Sequence, residues 1–279
     1  MIEFLKAILF GIVEGITEWL PISSTGHMIL LKEFVSLNVS DEFWEMFLVV
    51  IQLGAILAVI ILFWNKIWPF VMEKGKLAVK KDTMLMWWKV VIACVPAVIY
   101  MVTLEEIMDN LMSGVQKWVV AAALIIVGIL FIVIEKWNRN KTAKITNMEH
   151  LTYKLALFIG LCQLFAGVFP GTSRSGATII GALIFGVSRT LAAEFTFILA
   201  IPAMIGASGV KLLKFILGGT AVSSQEIWIL LIGMAVAFAV SVFVIKFLMD
   251  YIRKHDFTVF GWYRIALGAI VLIYFIINP

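Results

Sequence analysis

The sequence predicts an all-α integral membrane protein with an inverted-topology repeat, in which six transmembrane helices and two re-entrant helix hairpins meet near the membrane midplane. Three observations predict this fold: the composition, the lengths of the apolar runs and an internal similarity between the two halves of the chain. The 279 residues are 62% hydrophobic and 14% charged, with a mean hydropathy of +1.05. Soluble domains contain about 45–50% apolar and about 25% charged residues. We therefore expect one membrane domain over residues 1–279.

Six apolar runs reach the length of about 20 residues that an α-helix needs to cross a bilayer. They cover roughly residues 45–65, 84–103, 117–136, 190–213, 225–248 and 258–277. Two other apolar regions are each split by a proline, at Pro21 into runs 4–20 and 26–37 and at Pro170 into runs 155–169 and 177–187. Non-helical backbone is tolerated at membrane depth only where protein or a water-filled cavity surrounds it. Each split region therefore predicts a re-entrant hairpin.

An internal repeat relates the two halves of the chain. An offset of 149 residues brings Gly11 onto Gly160, Pro21 onto Pro170 and Glu45 onto Glu194. The halves, about 1–137 and about 152–279, each hold one hairpin and three spans. Because three is odd, the second half is inverted relative to the first. In inverted repeats the broken segments lie near the midplane and indicate the binding site.

The charges in the loops predict the orientation. Basic residues fill the loops at 66–81 and 136–144 and the segment before the last span: Lys66, Lys74, Lys76, Lys80, Lys81, Lys136, Arg139, Lys141, Lys144, Arg253 and Lys254. The 104–116 loop instead carries Glu105, Glu106 and Asp109 and no base. The positive-inside rule places the basic loops in the cytoplasm and both termini outside, with Lys211 and Lys214 as exceptions on the outer side. We expect these bases to set topology and bind nothing.

The first polar break carries two acids, three hydroxyls and a histidine: Glu14, Glu18, Ser23, Ser24, Thr25 and His27. The two glutamates are four residues apart and share one helix face. Each residue also has a simpler interpretation. Ser and Thr are good helix N-caps, the glutamates would suit an exposed face of an interfacial helix, and His27 would suit a buried histidine with its hydrogen bonds satisfied.

The second polar break carries residues suited to an anion: Thr172, Ser173, Arg174, Ser175, Gly176 and Thr178. Free backbone N–H groups and the positive end of a helix attract anions, and a guanidinium matches phosphate oxygens with a forked donor. A charge at mid-bilayer costs about 2.5–3.5 kcal/mol on insertion scales, so an intramembrane arginine indicates function. The alternative for Arg174 is a structural ion pair with Glu14 or Glu18.

Together the two breaks suit phosphoryl transfer, where positioning and charge stabilisation provide most of the catalysis. Ser24 is a candidate nucleophile, with His27 three residues later as its base. Glu14 and Glu18 would hold Mg²⁺ or Ca²⁺ through carboxylate oxygens. No nucleotide motif is present, and no nucleic-acid partner is expected. Cys94 and Cys162 do not form a C-x-x-C pair, so neither a disulfide framework nor a zinc site is expected.

Two signatures resemble the bacterial undecaprenyl-diphosphate phosphatase family, which is of the bacitracin-resistance type. They read E-G-I-T-E-W-L-P-I-S-S-T-G-H from Glu14 to His27 and P-G-T-S-R-S-G-A-T from Pro170 to Thr178. Trp19 stands where the family often has Phe. The resemblance implies hydrolysis of undecaprenyl diphosphate to undecaprenyl phosphate, which recycles the carrier lipid for peptidoglycan synthesis. It also implies a divalent metal and a site in the bacterial cytoplasmic membrane that opens to the outer face.

The resemblance also implies residue roles. Glu14 and Glu18 match the family's acidic pair, Ser24 its proposed nucleophile and His27 its catalytic histidine. Ser173 and Arg174 match the phosphate-binding pair, with Ser23 and Thr178 in support.

Several alternatives stay open at the level of sequence. Direct attack by water would replace attack by Ser24. A transporter or flippase of an anionic prenyl phosphate lipid would use the same inverted repeat, whereas a structural scaffold leaves the buried Glu and Arg unexplained. Small residues such as Gly54, Ala55 and Ala58 suit close helix packing, either within the chain or across a homodimer.

Overall fold

A computed structural model describes residues 1–73, 76–112, 114–219 and 222–278, except the side chain of Asp109. The fold is mostly helical, and six helices are long and apolar enough to cross a membrane. They are α3 (Asp41–Leu62), α5 (Lys81–Thr103), α7 (Gln116–Asn138), α10 (Arg189–Leu217), α11 (Ser224–Tyr251) and α12 (Thr258–Ile277). The predicted helical class and the six predicted spans are therefore confirmed.

Four shorter helices flank the two polar breaks. They are α1 (Ile2–Thr17) and α2 (Ser24–Phe34) in the first half of the chain, and α8 (Tyr153–Val168) and α9 (Arg174–Ile184) in the second half. At about 1.5 Å per residue, even the 16-residue α1 and α8 fall short of a hydrocarbon core about 30 Å thick. The chain is non-helical at Pro21 and at Pro170, as the sequence predicts.

The helices after the two breaks begin in the same way. Ser23 and Ser173 have positive φ angles of 75° and 69°, and each hydroxyl accepts a hydrogen bond from a glycine N–H three residues later. An αL-like φ is strained for a residue with a side chain. These caps are 150 residues apart, whereas the prolines are 149 apart. The second break is therefore one residue longer, and Ser23 corresponds to Ser173 rather than to Thr172.

Four short elements lie in regions that were predicted as loops. They are α4 (Trp64–Ile67), a hairpin of β1 (Phe70–Glu73) and β2 (Lys76–Val79), and α6 (Glu105–Met112). Elements this short show too few periods for their pattern to be recognised. Lys74, predicted as a cytoplasmic base, lies outside the described residues, as does the side chain of Asp109.

Close helix packing joins the two halves. Helix α1 packs on α11, and α8 packs on α5. A Cβ at Gly11 would lie 2.6 Å from the carbonyl oxygen of Gly233, and one at Gly160 would lie 2.1 Å from that of Ala93. Only glycine permits these approaches. Gly54 likewise lies against the backbone of Met234, so its packing partner is within the chain.

Helices α3 and α10 also pack against each other, and an ion pair lies near each end of their contact. Lys66 Nζ lies 2.6 Å from Glu194 Oε2, and Lys211 Nζ lies 2.8 Å from Glu45 Oε2. Lys211 departs from the positive-inside pattern but is paired with a carboxylate. Each pair joins a residue of one half to a residue of the other.

Candidate active site

The two polar breaks face one cavity of about 450 Å³. The first break contributes Glu18, Ser24 and Thr25 to its wall, and the second contributes Gly171, Ser173, Arg174 and Ser175. The other walls come from α3, α5, α8 and α10 and from the start of α6. The structure therefore brings residues that are about 150 positions apart in the sequence to one site.

The Glu18 carboxylate connects the two breaks. Ser24 Oγ donates a hydrogen bond to Glu18 Oε2 at 2.6 Å, and Arg174 Nη2 donates to Glu18 Oε1 at 2.6 Å. Ser175 Oγ donates to the Glu18 backbone oxygen at 3.4 Å. The ion pair considered for Arg174 is thus present. The other guanidinium nitrogen, Nη1, is buried and has no partner among the described residues, so it is available to a ligand.

Glu14 lies one helical turn before Glu18 and is 1% exposed. Its Oε1 is buried and has no hydrogen-bond partner within the described part of the chain. A buried carboxylate oxygen without a partner is costly, so it suits a cation or a protonated ligand group. The described residues contain no group of three or more His, Cys, Asp and Glu side chains placed to hold a metal. The two carboxylates fit a divalent ion only if substrate oxygens and water complete its shell.

His27 does not bond to Ser24, contrary to the predicted pairing. Its Nδ1 lies 2.7 Å from the backbone oxygen of Ser23, and its Nε2 lies 2.7 Å from the hydroxyl oxygen of Tyr263 on α12. The imidazole also stacks on the Tyr263 ring, with centroids 5.7 Å apart. Both ring nitrogens are therefore occupied, and Glu18 is the acceptor for Ser24. These two hydrogen bonds match the satisfied histidine considered above, and the catalytic role of His27 stays a prediction.

The predicted phosphate-binding residues divide into two groups. Thr25, Ser173, Arg174 and Ser175 line the cavity, whereas Ser23, Thr172, Gly176 and Thr178 are absent from its lining. Thr178 is fully buried, and its hydroxyl bonds to Thr196 Oγ1 at 2.8 Å and to the Arg174 carbonyl at 3.0 Å. The Gly176 N–H donates to Ser173 Oγ at 3.2 Å. Both residues therefore stabilise the start of α9, and their predicted contact with phosphate stays a prediction.

Comparison with known proteins shows the family of the chain. Residues 7–270 match the family described as bacitracin resistance protein BacA. The chain belongs to this family. The undecaprenyl-diphosphatase of Desulfitobacterium hafniense is 58% identical over 275 residues, which cover 99% of this chain and 97% of the relative. Relatives with the same name from Enterococcus faecalis, at 59% identity, and Acetivibrio thermocellus, at 56% identity, each cover at least 97% of both chains. The resemblance read from the two signatures is confirmed.

Arg264 is fully buried on α12 and is not among the predicted site residues. Its guanidinium donates to the backbone oxygens of Pro21 at 3.2 Å, Gly171 at 2.9 Å and Thr172 at 3.0 Å. It therefore satisfies carbonyls in both breaks. A lone arginine inside an apolar span is a signal that the sequence does contain, and it was overlooked because the two signatures lie elsewhere.

Gln163 and Tyr263 were also missed. Gln163 lies on α8, the first helix of the second break, and lines the cavity. The sequence could have indicated Gln163, because it lies 149 residues after Glu14 and the repeat therefore places the two residues at equivalent positions. Tyr263 holds the His27 ring, and no pattern in the sequence indicates this contact.

Proposed function

We propose that the protein hydrolyses undecaprenyl diphosphate to undecaprenyl phosphate and inorganic phosphate, which recycles the lipid carrier for cell-wall synthesis. The observation that carries the proposal is the Glu18 carboxylate, which bonds to the Ser24 hydroxyl and to the Arg174 guanidinium at one cavity wall. Displacement at phosphorus is favoured by a nucleophile beside a base, with a positively charged side chain next to both. Ser24, Glu18 and Arg174 have this arrangement. The names of the relatives support the same substrate.

In the proposed reaction Ser24 Oγ attacks the terminal phosphorus and passes its proton to Glu18. The bond from that phosphorus to the bridging oxygen breaks, so undecaprenyl phosphate leaves and a phosphoserine forms. Water then attacks the phosphorus of the phosphoserine, and its bond to Ser24 Oγ breaks. Oγ takes back the proton from Glu18, so inorganic phosphate leaves and both Ser24 and Glu18 are restored. Arg174 Nη1, which has no partner among the described residues, would bind the oxygens of the transferred phosphoryl group. In the variant route, Glu18 orients a water that attacks directly.

A divalent cation is part of the proposal. Glu14 and Glu18 would hold Mg²⁺ or Ca²⁺, and the unpartnered Oε1 of Glu14 is the observation that favours this. The bound ion would supply positive charge against the diphosphate oxygens. Because both Glu18 oxygens already accept hydrogen bonds from protein groups, Glu14 would be the more available ligand.

We also propose the inverted repeat and the two re-entrant hairpins for this fold, with repeats at about 1–137 and about 152–279. Three observations support it. Each half packs its first helix on the middle span of the other half, with α1 on α11 and α8 on α5. Both breaks begin their second helix at a serine with positive φ. The ion pairs of Lys66 with Glu194 and of Lys211 with Glu45 each join residues of opposite halves.

The proposed location is the bacterial cytoplasmic membrane, with both termini and the cavity mouth on the outer side. Tyr100 and Met101, near the end of α5, and Glu105 of α6 line the cavity. Helix α5 begins at the lysine-rich 66–81 segment, so these residues lie at the opposite end of the span. The positive-inside rule assigns the lysine-rich end to the cytoplasm.

The function is tested by measuring phosphate release from a prenyl diphosphate by purified protein in detergent. We expect release that EDTA reduces by at least about tenfold, as loss of a charge-stabilising metal should, and that added Mg²⁺ or Ca²⁺ restores. Absence of release under every metal condition would instead favour the transport of an anionic prenyl phosphate lipid.

The serine is tested by Ser24→Ala. We expect kcat to fall about a thousandfold, because removal of a nucleophile leaves only binding and electrostatic contributions. Mass spectrometry of quenched wild-type protein should detect a phosphoserine at position 24. The matched control is Ser224→Ala, at an exposed residue of α11, which should keep wild-type turnover. If Ser24→Ala keeps most of its turnover, water is the nucleophile.

A further inference from the structure

Gln163 is a buried amide without a partner in the wall of the cavity. It is 5% exposed, and neither its Nε2 nor its Oε1 has a hydrogen-bond partner among the described residues. A buried amide that makes no hydrogen bond loses its interactions with water and gains nothing in return. Since Gln163 is one of the residues that line the cavity, a ligand bound there is the nearest candidate to supply the missing partners.

Another glutamine in the same wall does not share this property. Gln52 on α3 donates its Nε2 to the carbonyl oxygen of Leu48, one turn earlier on its own helix, at 3.5 Å. Gln163 makes no such local bond. Of these two glutamines, therefore, Gln163 is the one whose amide lacks a partner among the described residues.

The repeat gives Gln163 a counterpart. Glu14 on α1 lies 149 residues earlier, at the equivalent position of the first half, and it too has a buried oxygen without a partner. The equivalent positions of the two halves thus hold an acid and a neutral amide, and of the two Gln163 is the one that lines the cavity. An amide can donate two N–H bonds to an anion without charge repulsion, whereas a carboxylate needs a cation or a proton between itself and a phosphate.

Gln163 makes no hydrogen bond to the reacting groups among the described residues. The hydrogen bonds that join Glu18 to Ser24 and Arg174 do not include it. A diphosphate has two phosphoryl groups, and this cluster has one nucleophile for the transferred group. The amide is therefore free to contact the other phosphoryl group, which stays on the lipid.

We propose that Gln163 binds the phosphoryl group attached to the prenyl chain, with its Nε2 donating to a phosphoryl oxygen. This inference rests on the proposed function, because it assumes a prenyl diphosphate in the cavity. Gln163 then helps the site to select a diphosphate and to retain the leaving prenyl phosphate in line with Ser24.

The test measures the Kd of two ligands by calorimetry, which requires no turnover. Farnesyl phosphate carries the lipid-side phosphoryl group, and inorganic phosphate stands for the transferred group. In Gln163→Met, which keeps the side-chain length without the amide, we expect the Kd of farnesyl phosphate to rise about tenfold or more. The Kd of inorganic phosphate should stay within about twofold. Gln163→Glu, which adds a negative charge, should weaken farnesyl phosphate binding further.

Two controls complete the test. Gln116→Met makes the same change at an exposed residue of α7 and should bind both ligands as the wild type does. If Gln163→Met fails to fold, Gln163→Asn replaces it in the binding measurements, because its shorter side chain withdraws the amide from the ligand. Unchanged farnesyl phosphate binding in the altered proteins, or equal weakening of both ligands, would overturn the assignment. Phosphate release by the wild type is measured separately, so failure of the proposed function is distinguishable.

Discussion

Replacing Glu18 with glutamine is expected to lower kcat about a thousandfold while the protein remains folded. The carboxylate accepts the Ser24 hydroxyl at one oxygen and the Arg174 guanidinium at the other. Glutamine has one acceptor oxygen and an NH₂ group that only donates, so one of these two donors must lose its partner. General-base contributions are typically about 10²–10⁴-fold, and disorder of Arg174 adds to the loss.

Kinetics of phosphate release, measured over a range of metal concentrations, separates the two roles proposed for Glu18. If Glu18 acts mainly as a metal ligand, high Mg²⁺ or Ca²⁺ should restore most of the turnover. If it acts mainly as the proton acceptor for Ser24, added metal should leave kcat low. The matched control is Glu42→Gln, at an exposed residue in the first turn of α3, which should keep wild-type kcat. A Glu18→Gln protein that keeps more than about a tenth of wild-type kcat at low metal concentration would contradict both roles.

The spans and breaks could be predicted because each depends on local sequence. A run of about 20 apolar residues has few alternatives to a membrane helix, and a proline followed by serines and glycine ends one helix and caps the next. Pro21 and Pro170 therefore marked the breaks correctly. The one-residue difference between the two breaks was missed because only the φ angles of Ser23 and Ser173 identify the caps as equivalent.

The partners of the site residues could not be predicted because they come from distant helices. Spacing along α2 allowed His27 to serve Ser24, but Tyr263, 236 residues away, holds the imidazole, and Glu18 receives the serine hydroxyl. Thr178 has the spacing of a phosphate ligand, yet its hydroxyl forms a hydrogen bond with the hydroxyl of Thr196 on α10. A periodic pattern gives the residues that share a helix face, whereas the packing of other helices decides which partner that face meets.

Arg264 is the clearest instance of such packing, and replacing it is expected to affect both stability and turnover. In Arg264→Met the carbonyl oxygens of Pro21, Gly171 and Thr172 lose a charged donor inside an apolar bundle. Hydrogen bonds to charged groups contribute about 1.5–3 kcal/mol each, so we expect a large fall in the melting temperature. Since the guanidinium ties both breaks together, we also expect kcat per folded molecule to fall at least about a hundredfold, because catalytic geometry tolerates little displacement.

The positioning role is separated from simple stabilisation by measuring turnover well below the melting temperature of each variant. Arg264→Lys retains the charge and three donors but lacks the planar fork, so it should recover more of the stability than of kcat. Arg253→Met removes an exposed arginine whose ion-pair partner within the described residues is Asp250, and it should change neither quantity. If Arg264→Met melts lower but keeps wild-type kcat when folded, the two breaks hold their alignment without it. The contacts among Glu18, Ser24 and Arg174 would then be sufficient to align the site.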